Sequence, residues 1–246
     1  MLKRKKTRRD GINWKKIIFL YVLFGFLCYK GFIFLLTTDY FLLKEVEVDG
    51  TKVLLPEYVV NISKLMGGIS LFLINTNKVK DNIKKDPWIE DVVVKKYFPH
   101  TIYIFIKERV PFCILTNGKK SLVLNDEGIV LTEKADHFSF LRKIIWRNMD
   151  FPKNYLGKKI ENKWIYDSIY IIKIFDKNFP GLLKGLIIDK SAYIKIFTKN
   201  GISILLGSID DILNKEKFAM LKEILNKKTK NIKVLDLRYK KGIIGK

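Results

Sequence analysis

The chain has 246 residues, enough for one or two compact domains, and 48% of them are apolar, ample for a core. Lys and Arg number 47 against 25 Asp and Glu, a formal net charge of +22. Two cysteines exclude a secreted disulfide scaffold. The charge suggests either nucleic acid or an anionic membrane surface as a partner. The membrane is favoured, because a membrane segment is present and no nucleic-acid motif is. A solvated, Lys-rich surface would give the same balance.

Residues 1–16 carry eight basic residues against Asp10 alone. Ile17–Leu36 is then apolar for twenty residues, broken by Lys30. At 1.5 Å per residue it covers about 30 Å, the hydrocarbon thickness of a bilayer. Lys30 lies toward the outer end, where its ammonium can snorkel to the interface. The basic cluster predicts a cytoplasmic amino end. The run is too long for a cleaved signal, and the LLTTDYFLL that follows has no small-x-small cleavage site. An uncleaved anchor leaves the chain from Thr37 on outside the cytoplasm.

From Asp39 to Pro111 the pattern reads strand, helix, helix, strand, strand. Leu43, Val46 and Val48 form a short strand ending at the turn pair Asp49-Gly50. Pro56 suits a first helical turn. Val59, Ile62, Leu65 and Met66 follow near helical spacing, and Gly67-Gly68 is expected to close that helix. NTNKVKDNIKKDPW supplies the second helix. Ile102, Ile104 and Ile106 alternate with Tyr103 and Phe105, a period of two, after a bend at Pro99-His100.

After Pro111 hairpins take over. Asn117-Gly118 sits between FCILT and KKSLVL. Asp126-Glu127-Gly128 leads into IVLTE, and Asn200-Gly201 joins YIKIFTK to ISILLG. Helices are predicted within Glu161–Phe175, with Ile165, Ile169 and Ile172 on one face, and over Ile209–Asn226. IKVLDLRY is the last strand. The sum is α+β: an antiparallel sheet with helices on one face.

These residues resemble the FtsQ/DivIB family of bacterial cell-division proteins. Val46, Val48 and Gly50 match its V-x-V-x-G start. Ser70-Leu71-Phe72 matches the segment after the first helix. Pro87-Trp88-Ile89 with Val92 and Val94, then Pro99, Thr101 and Ile102, then Glu108-Arg109 with Pro111, follow in family order and spacing. Leu122-Val123, Asp126 and Gly128, then Leu206-Gly207 with Lys217 and Leu221, and Val234 to Tyr239 around Asp236-Leu237-Arg238, continue it. The resemblance implies a basic tail at 1–16, a transmembrane helix at 17–36, a POTRA domain at 39–111, an FtsQ-type β domain at 112–240 and a tail at 241–246.

Little in the residues points to chemistry. His100 reads as a turn residue and His137 as a loop residue, since a metal needs clustered ligands. Asp210-Asp211 reads as a helix amino-terminal cap. Glu108-Arg109 reads as a solvated ion pair at a strand end. Trp88 is expected in the core beneath the first helix, near Ile62 and Leu65. No P-loop, GxGxxG or GxSxG occurs, so the expectation is no enzyme, no cofactor and no metal.

A membrane-tethered wall enzyme would need a catalytic constellation. A POTRA-bearing assembly or transport factor would need tandem modules or a barrel. The family reading is therefore taken: a bitopic division scaffold that binds small single-pass proteins of the FtsB/DivIC and FtsL type, without nucleic acid or a small-molecule substrate. The last strand has a free edge unless covered, a template for strand addition. The resemblance implies that this edge receives the partner, with Arg238, Tyr239, Lys240, Lys241, Gly242 and Ile243 as its site. Gly50, Pro87, Trp88, Pro99, Glu108, Arg109, Pro111, Asp236 and Leu237 are structural in that reading.

Overall fold

The computed structural model describes residues 14–151, 153–189, 193–226, 232–239 and 243–245. Helix α1 (Trp14–Thr37) has 24 residues and buries none of them against protein. Its length, about 36 Å, slightly exceeds a hydrocarbon core. Lys30 holds its ammonium over the Phe26 ring, 5.7 Å from the centroid. An apolar helix with no protein partner suits lipid as its solvent.

A POTRA unit follows, made of β1 (Glu45–Asp49), α2 (Pro56–Ser63), α3 (Thr76–Ile83), β2 (Ile89–Tyr97) and β3 (Thr101–Glu108). The strand order is β1-β3-β2, with β1 parallel and β2 antiparallel to β3. Ile102, Ile104 and Ile106 are fully buried on the face covered by Val59 of α2 and by Val79 and Ile83 of α3. Their neighbour Phe105 points to the other face and is exposed. Pro56 occupies the first turn of α2.

The α2 helix stops at Ser63, earlier than Gly67-Gly68 would place its end. Ser63 Oγ donates to the Val60 carbonyl and accepts the Leu65 N–H, and Lys64 turns left-handed at φ 58°. A serine competing for backbone groups ends the helix locally. Met66 is consequently exposed.

The second unit contains β4 (Pro111–Thr116), β5 (Ser121–Asn125), β6 (Val130–Thr132), β7 (Arg142–Ile145), α4 (Lys163–Asn178), β8 (Leu183–Ile188), β9 (Ile194–Thr198), β10 (Ser203–Leu206), α5 (Asp210–Leu213), α6 (Lys215–Asn226), β11 (Val234–Asp236) and β12 (Ile243–Gly245). The described strands form one sheet in the order β12-β11-β10-β9-β8-β7-β4-β5-β6. The hairpins expected at Asn117-Gly118, Asp126–Gly128 and Asn200-Gly201 pair antiparallel. The sheet as a whole is mixed, because β4 with β7, β7 with β8 and β10 with β11 are parallel. The last two pairs are joined through helices and the first through β5 and β6, and each such crossover returns the chain in the same direction. The α+β class stands.

Helices α4 and α6 share one face of this sheet. Ile165, Ile169, Ile172 and Phe175 of α4 and Leu221 of α6 join Leu115, Leu124, Ile144, Ile196 and Leu235 in one buried cluster. The predicted single helix over Ile209–Asn226 is two. Asn214 leaves helical geometry and caps α6, its Oδ1 accepting the N–H groups of Glu216 and Lys217.

Only Arg109 and Val110 lie between β3 and β4. Trp88 belongs to this joint and not to the core under α2. It is half-buried, and its ring lies 5.7 Å from that of Phe138 in the second unit. Beside it Gly157 packs on Pro87, so close that an added Cβ would sit 3.6 Å from Pro87 Cγ. Ile89, one residue on, takes the inward position. Trp88 itself lies in the turn just before β2.

The Glu108-Arg109 expectation is also corrected. The Glu108 carboxylate accepts the N–H groups of Val53 and Leu54, both at 2.9 Å. Arg109 donates from its guanidinium to the Pro87 carbonyl and from its backbone to the Trp88 carbonyl, both at 2.8 Å. Glu108 is the last residue of β3 and Arg109 the first of the link to β4, and each holds a different loop.

Candidate partner-binding site at the carboxyl-terminal sheet edge

Two residues set where the end of the chain lies. Asp211 Oδ2 accepts the Gly207 N–H at 2.6 Å and the Ser208 N–H at 3.2 Å. Its Oδ1 takes the Lys217 ammonium at 2.6 Å, and Lys217 also donates to the Leu237 carbonyl. Both side chains are nearly buried, at 12% and 14% exposure. The clamp therefore ties the end of β10 to α6 and to the end of β11. Asp211 is a bridge and not the predicted amino-terminal cap: its carboxylate reaches back to the chain before the helix. The spacing Gly207–Asp211–Lys217 was the signal available in the sequence, but it does not announce Leu237 as the third party.

Strand β11 pairs parallel with β10, Ser203 opposite Val234 and Leu205 opposite Asp236. It is covered on its other side by β12, with Asp236 opposite Ile243 and Val234 opposite Gly245. The edge expected on the IKVLDLRY strand is therefore occupied. The outer strand is β12, and Ile243 lies in it. Arg238 and Tyr239 sit on the bend after β11 and not in a strand. Lys240, Lys241 and Gly242 lie outside the described residues.

Leu235 and Leu237 are fully buried, and Asp236 between them is buried on the opposite face. Asp236 Oδ1 accepts the Arg238 N–H at 3.1 Å and Nε at 2.9 Å, and Oδ2 accepts Nη2 at 2.6 Å. This forked pairing with Arg238 holds the Asp236 carboxyl below the usual carboxylate range. The same guanidinium lies over the Tyr193 ring at 5.3 Å and the Tyr239 ring at 6.0 Å. Tyr239 remains 54% exposed. The site thus presents an oriented cation, two accessible phenol rings and a strand edge.

Among the other singled-out residues, Pro99 follows a cis peptide bond in the β2–β3 turn, and Pro111 opens β4. His100 lies beside Thr101 Oγ1, and His137 is on the short turn carrying Phe138. Among the described residues no three of His, Cys, Asp and Glu gather as a metal site would require. Cys113 is buried, and burial pushes its thiol up to about 12.

The fold and this edge define a class: POTRA proteins with one apolar amino-terminal helix and a β domain after the POTRA unit. A family model described as "POTRA domain, FtsQ-type" matches residues 41–109. The cell division protein DivIB of Clostridium acetobutylicum is 30% identical over 186 residues, covering 73% of this chain and 72% of that protein. DivIB of Clostridium botulinum is 27% identical, with 87% and 82% covered. The cell division protein FtsQ of Rickettsia bellii is 26% identical, with 81% and 70% covered. The chain belongs to the DivIB/FtsQ family of cell division proteins.

Proposed function

We propose that this protein is a bitopic scaffold that links early and late division proteins at the septum through extracytoplasmic contacts. Residues 1–16 are its cytoplasmic tail and 17–36 its span. Residues 39–111 are the POTRA domain and 112–240 the β domain, whose sheet is extended by β12 (Ile243–Gly245) from the stretch 241–246 expected as a tail. The partners are small single-pass proteins of the FtsB/DivIC and FtsL type. The scaffold works by binding and not by catalysis.

The observation that carries this reading is the position of β12 as the outer strand of the sheet. A partner segment adding to β12 gains main-chain hydrogen bonds, the usual source of affinity in strand addition. Tyr239 and Arg238 sit on the bend that follows β11, at the end of the sheet next to Gly207 and Tyr193, and Tyr and Arg are enriched among residues that dominate interface energetics. Asp236 pre-orients the Arg238 guanidinium, which lowers the ordering cost of a contact.

The test replaces Tyr239 with Ala, checks the fold by circular dichroism, and measures pull-down of the small division partner. The expected result is an unchanged spectrum with partner binding reduced tenfold or more, corresponding to a loss of about 1.4 kcal/mol. Full retention of the partner together with normal septation would remove Tyr239 from the site.

A further inference from the structure

The membrane-facing end of the POTRA unit carries an apolar surface that its own fold leaves uncovered. Tyr40 is 62% exposed, Leu73 62%, Phe98 52% and Phe72 42%. The aromatic rings form one patch, and Leu73 follows Phe72 in the chain. The Phe41 ring is 5.1 Å from those of Tyr40 and Phe72 and 6.3 Å from that of Phe98, and Phe72 lies 4.9 Å from Phe98. Contiguous exposed apolar surface of this kind marks an interaction site, whereas single exposed residues do not.

The position of the patch names what covers it. Helical hydrogen bonding in α1 runs on to Thr38, whose N–H reaches the Phe34 carbonyl at 2.9 Å. Tyr40 follows Thr37 by three residues, so it lies within about 11 Å of the helix end. A helix of about 36 Å in a hydrocarbon core of about 30 Å ends some 3 Å beyond it, within an interfacial layer of about 5–8 Å. The connection is pinned to the domain. Leu71 N–H donates to the Phe41 carbonyl and Leu43 N–H to the Ile69 carbonyl, both at 2.9 Å, and Lys44 N–H donates to the His100 carbonyl at 3.0 Å. The loops carrying Phe72 and Phe98 are therefore fastened to the chain as it leaves α1. Tyr is enriched at this depth because its apolar ring and polar hydroxyl suit the headgroup layer, a place Tyr40 fits, while the Phe rings and Leu73 add apolar area to bury there.

We propose that Tyr40, Phe41, Phe72, Leu73 and Phe98 insert into the lipid interface where α1 leaves the bilayer, seating the POTRA domain on the membrane. The proposal rests on α1 being a span. Seating fixes the height and tilt of β2 and β3, and so the direction in which the second unit projects.

The test uses the full chain in vesicles of phosphatidylethanolamine and phosphatidylglycerol, with phosphatidylcholine spin-labelled near the headgroup or deep in the acyl chain. An environment-sensitive nitrobenzoxadiazole label goes on Leu73→Cys or Phe98→Cys, each in a Cys28→Ser background; Cys113 is buried and does not compete. Lys107→Cys, about 20 Å further along β3 from Thr101, is the distant control. The native Cys28, labelled in the unaltered chain, reports on the span itself. The expected result is that labels at 73 and 98 lose fluorescence to the headgroup-labelled lipid, that Cys28 loses it to the deep-labelled lipid, and that 107 loses it to neither. Quenching at Cys28 with none at 73 or 98 overturns the proposal and leaves the span standing. A blue shift at 73 and 98 without quenching means that protein covers the patch, and also overturns it. A Cys28 label that escapes quenching removes the span, and the seating with it.

Discussion

The Trp88 ring lies 5.7 Å from the Phe138 ring, tilted by 30°, across the joint between the POTRA unit and the β domain. Only Arg109 and Val110 link the two units covalently, and this ring pair is a side-chain contact between them. Aromatic pairs contribute about 0.5–1.5 kcal/mol beyond area burial. Trp88→Leu and Phe138→Leu, singly and together, should show a coupling of that size in denaturant unfolding of the chain from Asp39 on. Trp88→Ala should cost about 1–3 kcal/mol, less than the loss of a fully buried tryptophan. Independent effects of the two substitutions would mean that the joint is held elsewhere.

Gly50 ends β1 at φ 84°, and a Cβ there would lie 2.1 Å from the Ile106 carbonyl oxygen. That oxygen belongs to the central strand of the POTRA sheet and has little room to move. Gly118, at φ 90°, has nothing within 4 Å. Both positions carry the left-handed penalty of about 1–2 kcal/mol for a side chain. Gly50→Ala should exceed it, to about 3 kcal/mol or more, while Gly118→Ala stays within it. Thermal melts of the two variants decide the matter, and equal losses would mean that β3 yields to the added methyl group.

Periodicity made Ile102, Ile104 and Ile106 legible as one buried face, and turn chemistry made three hairpins legible from Asn117-Gly118, Asp126–Gly128 and Asn200-Gly201. Both are local signals, fixed by residues within a few positions of one another. The features misread depend on distant partners. Whether Trp88 faces the core or a second unit depends on Phe138, 50 residues on. Glu108 and Arg109 look paired in sequence because nothing there shows that Leu54 and Pro87 approach them. The site divides in the same way. Asp236 and Arg238 lie two residues apart, and their pairing needs only a local bend. That β11 is interior is set by β12 folding back, and the intervening Lys240, Lys241 and Gly242 carry no pattern that fixes such a return.

Charge predicts the orientation proposed for the span. The eight basic residues before the span resist transfer across a membrane, and cytoplasmic flanks carry such an excess. A reporter active only outside the cytoplasm should work when fused after Tyr239 and fail when fused before Trp14. Replacing Lys3, Arg4, Lys5, Lys6, Arg8 and Arg9 together with Gln should yield a mixed population. Activity of the amino-terminal fusion in the unaltered chain would invert the topology and remove the β12 edge from extracytoplasmic partners.

Asp236 gives the end of the β domain proposed as the partner site a dependence on pH. Its carboxyl titrates below the ordinary range because the Arg238 guanidinium is hydrogen-bonded to the ionised form, with burial opposing. For a group whose folded value is depressed, the stabilisation is complete above the unfolded value, about 3.9 for Asp. It is lost as pH falls through the folded value. The wild-type chain should therefore become less stable on acidification below about pH 4. Asp236→Asn keeps the size of the side chain but cannot ionise, so it should start from a lower stability at neutral pH and lose less on acidification. The two curves should converge at the acid end. Urea unfolding of both proteins between neutral and acid pH reads this directly. Partner pull-down at neutral pH separates the roles, because a guanidinium released from Asp236 loses its orientation over Tyr193 and Tyr239. Parallel acid limbs in the two proteins would mean that the Asp236–Arg238 pair adds nothing to folding. Unchanged pull-down by Asp236→Asn would mean that Arg238 needs no such anchor to serve the edge.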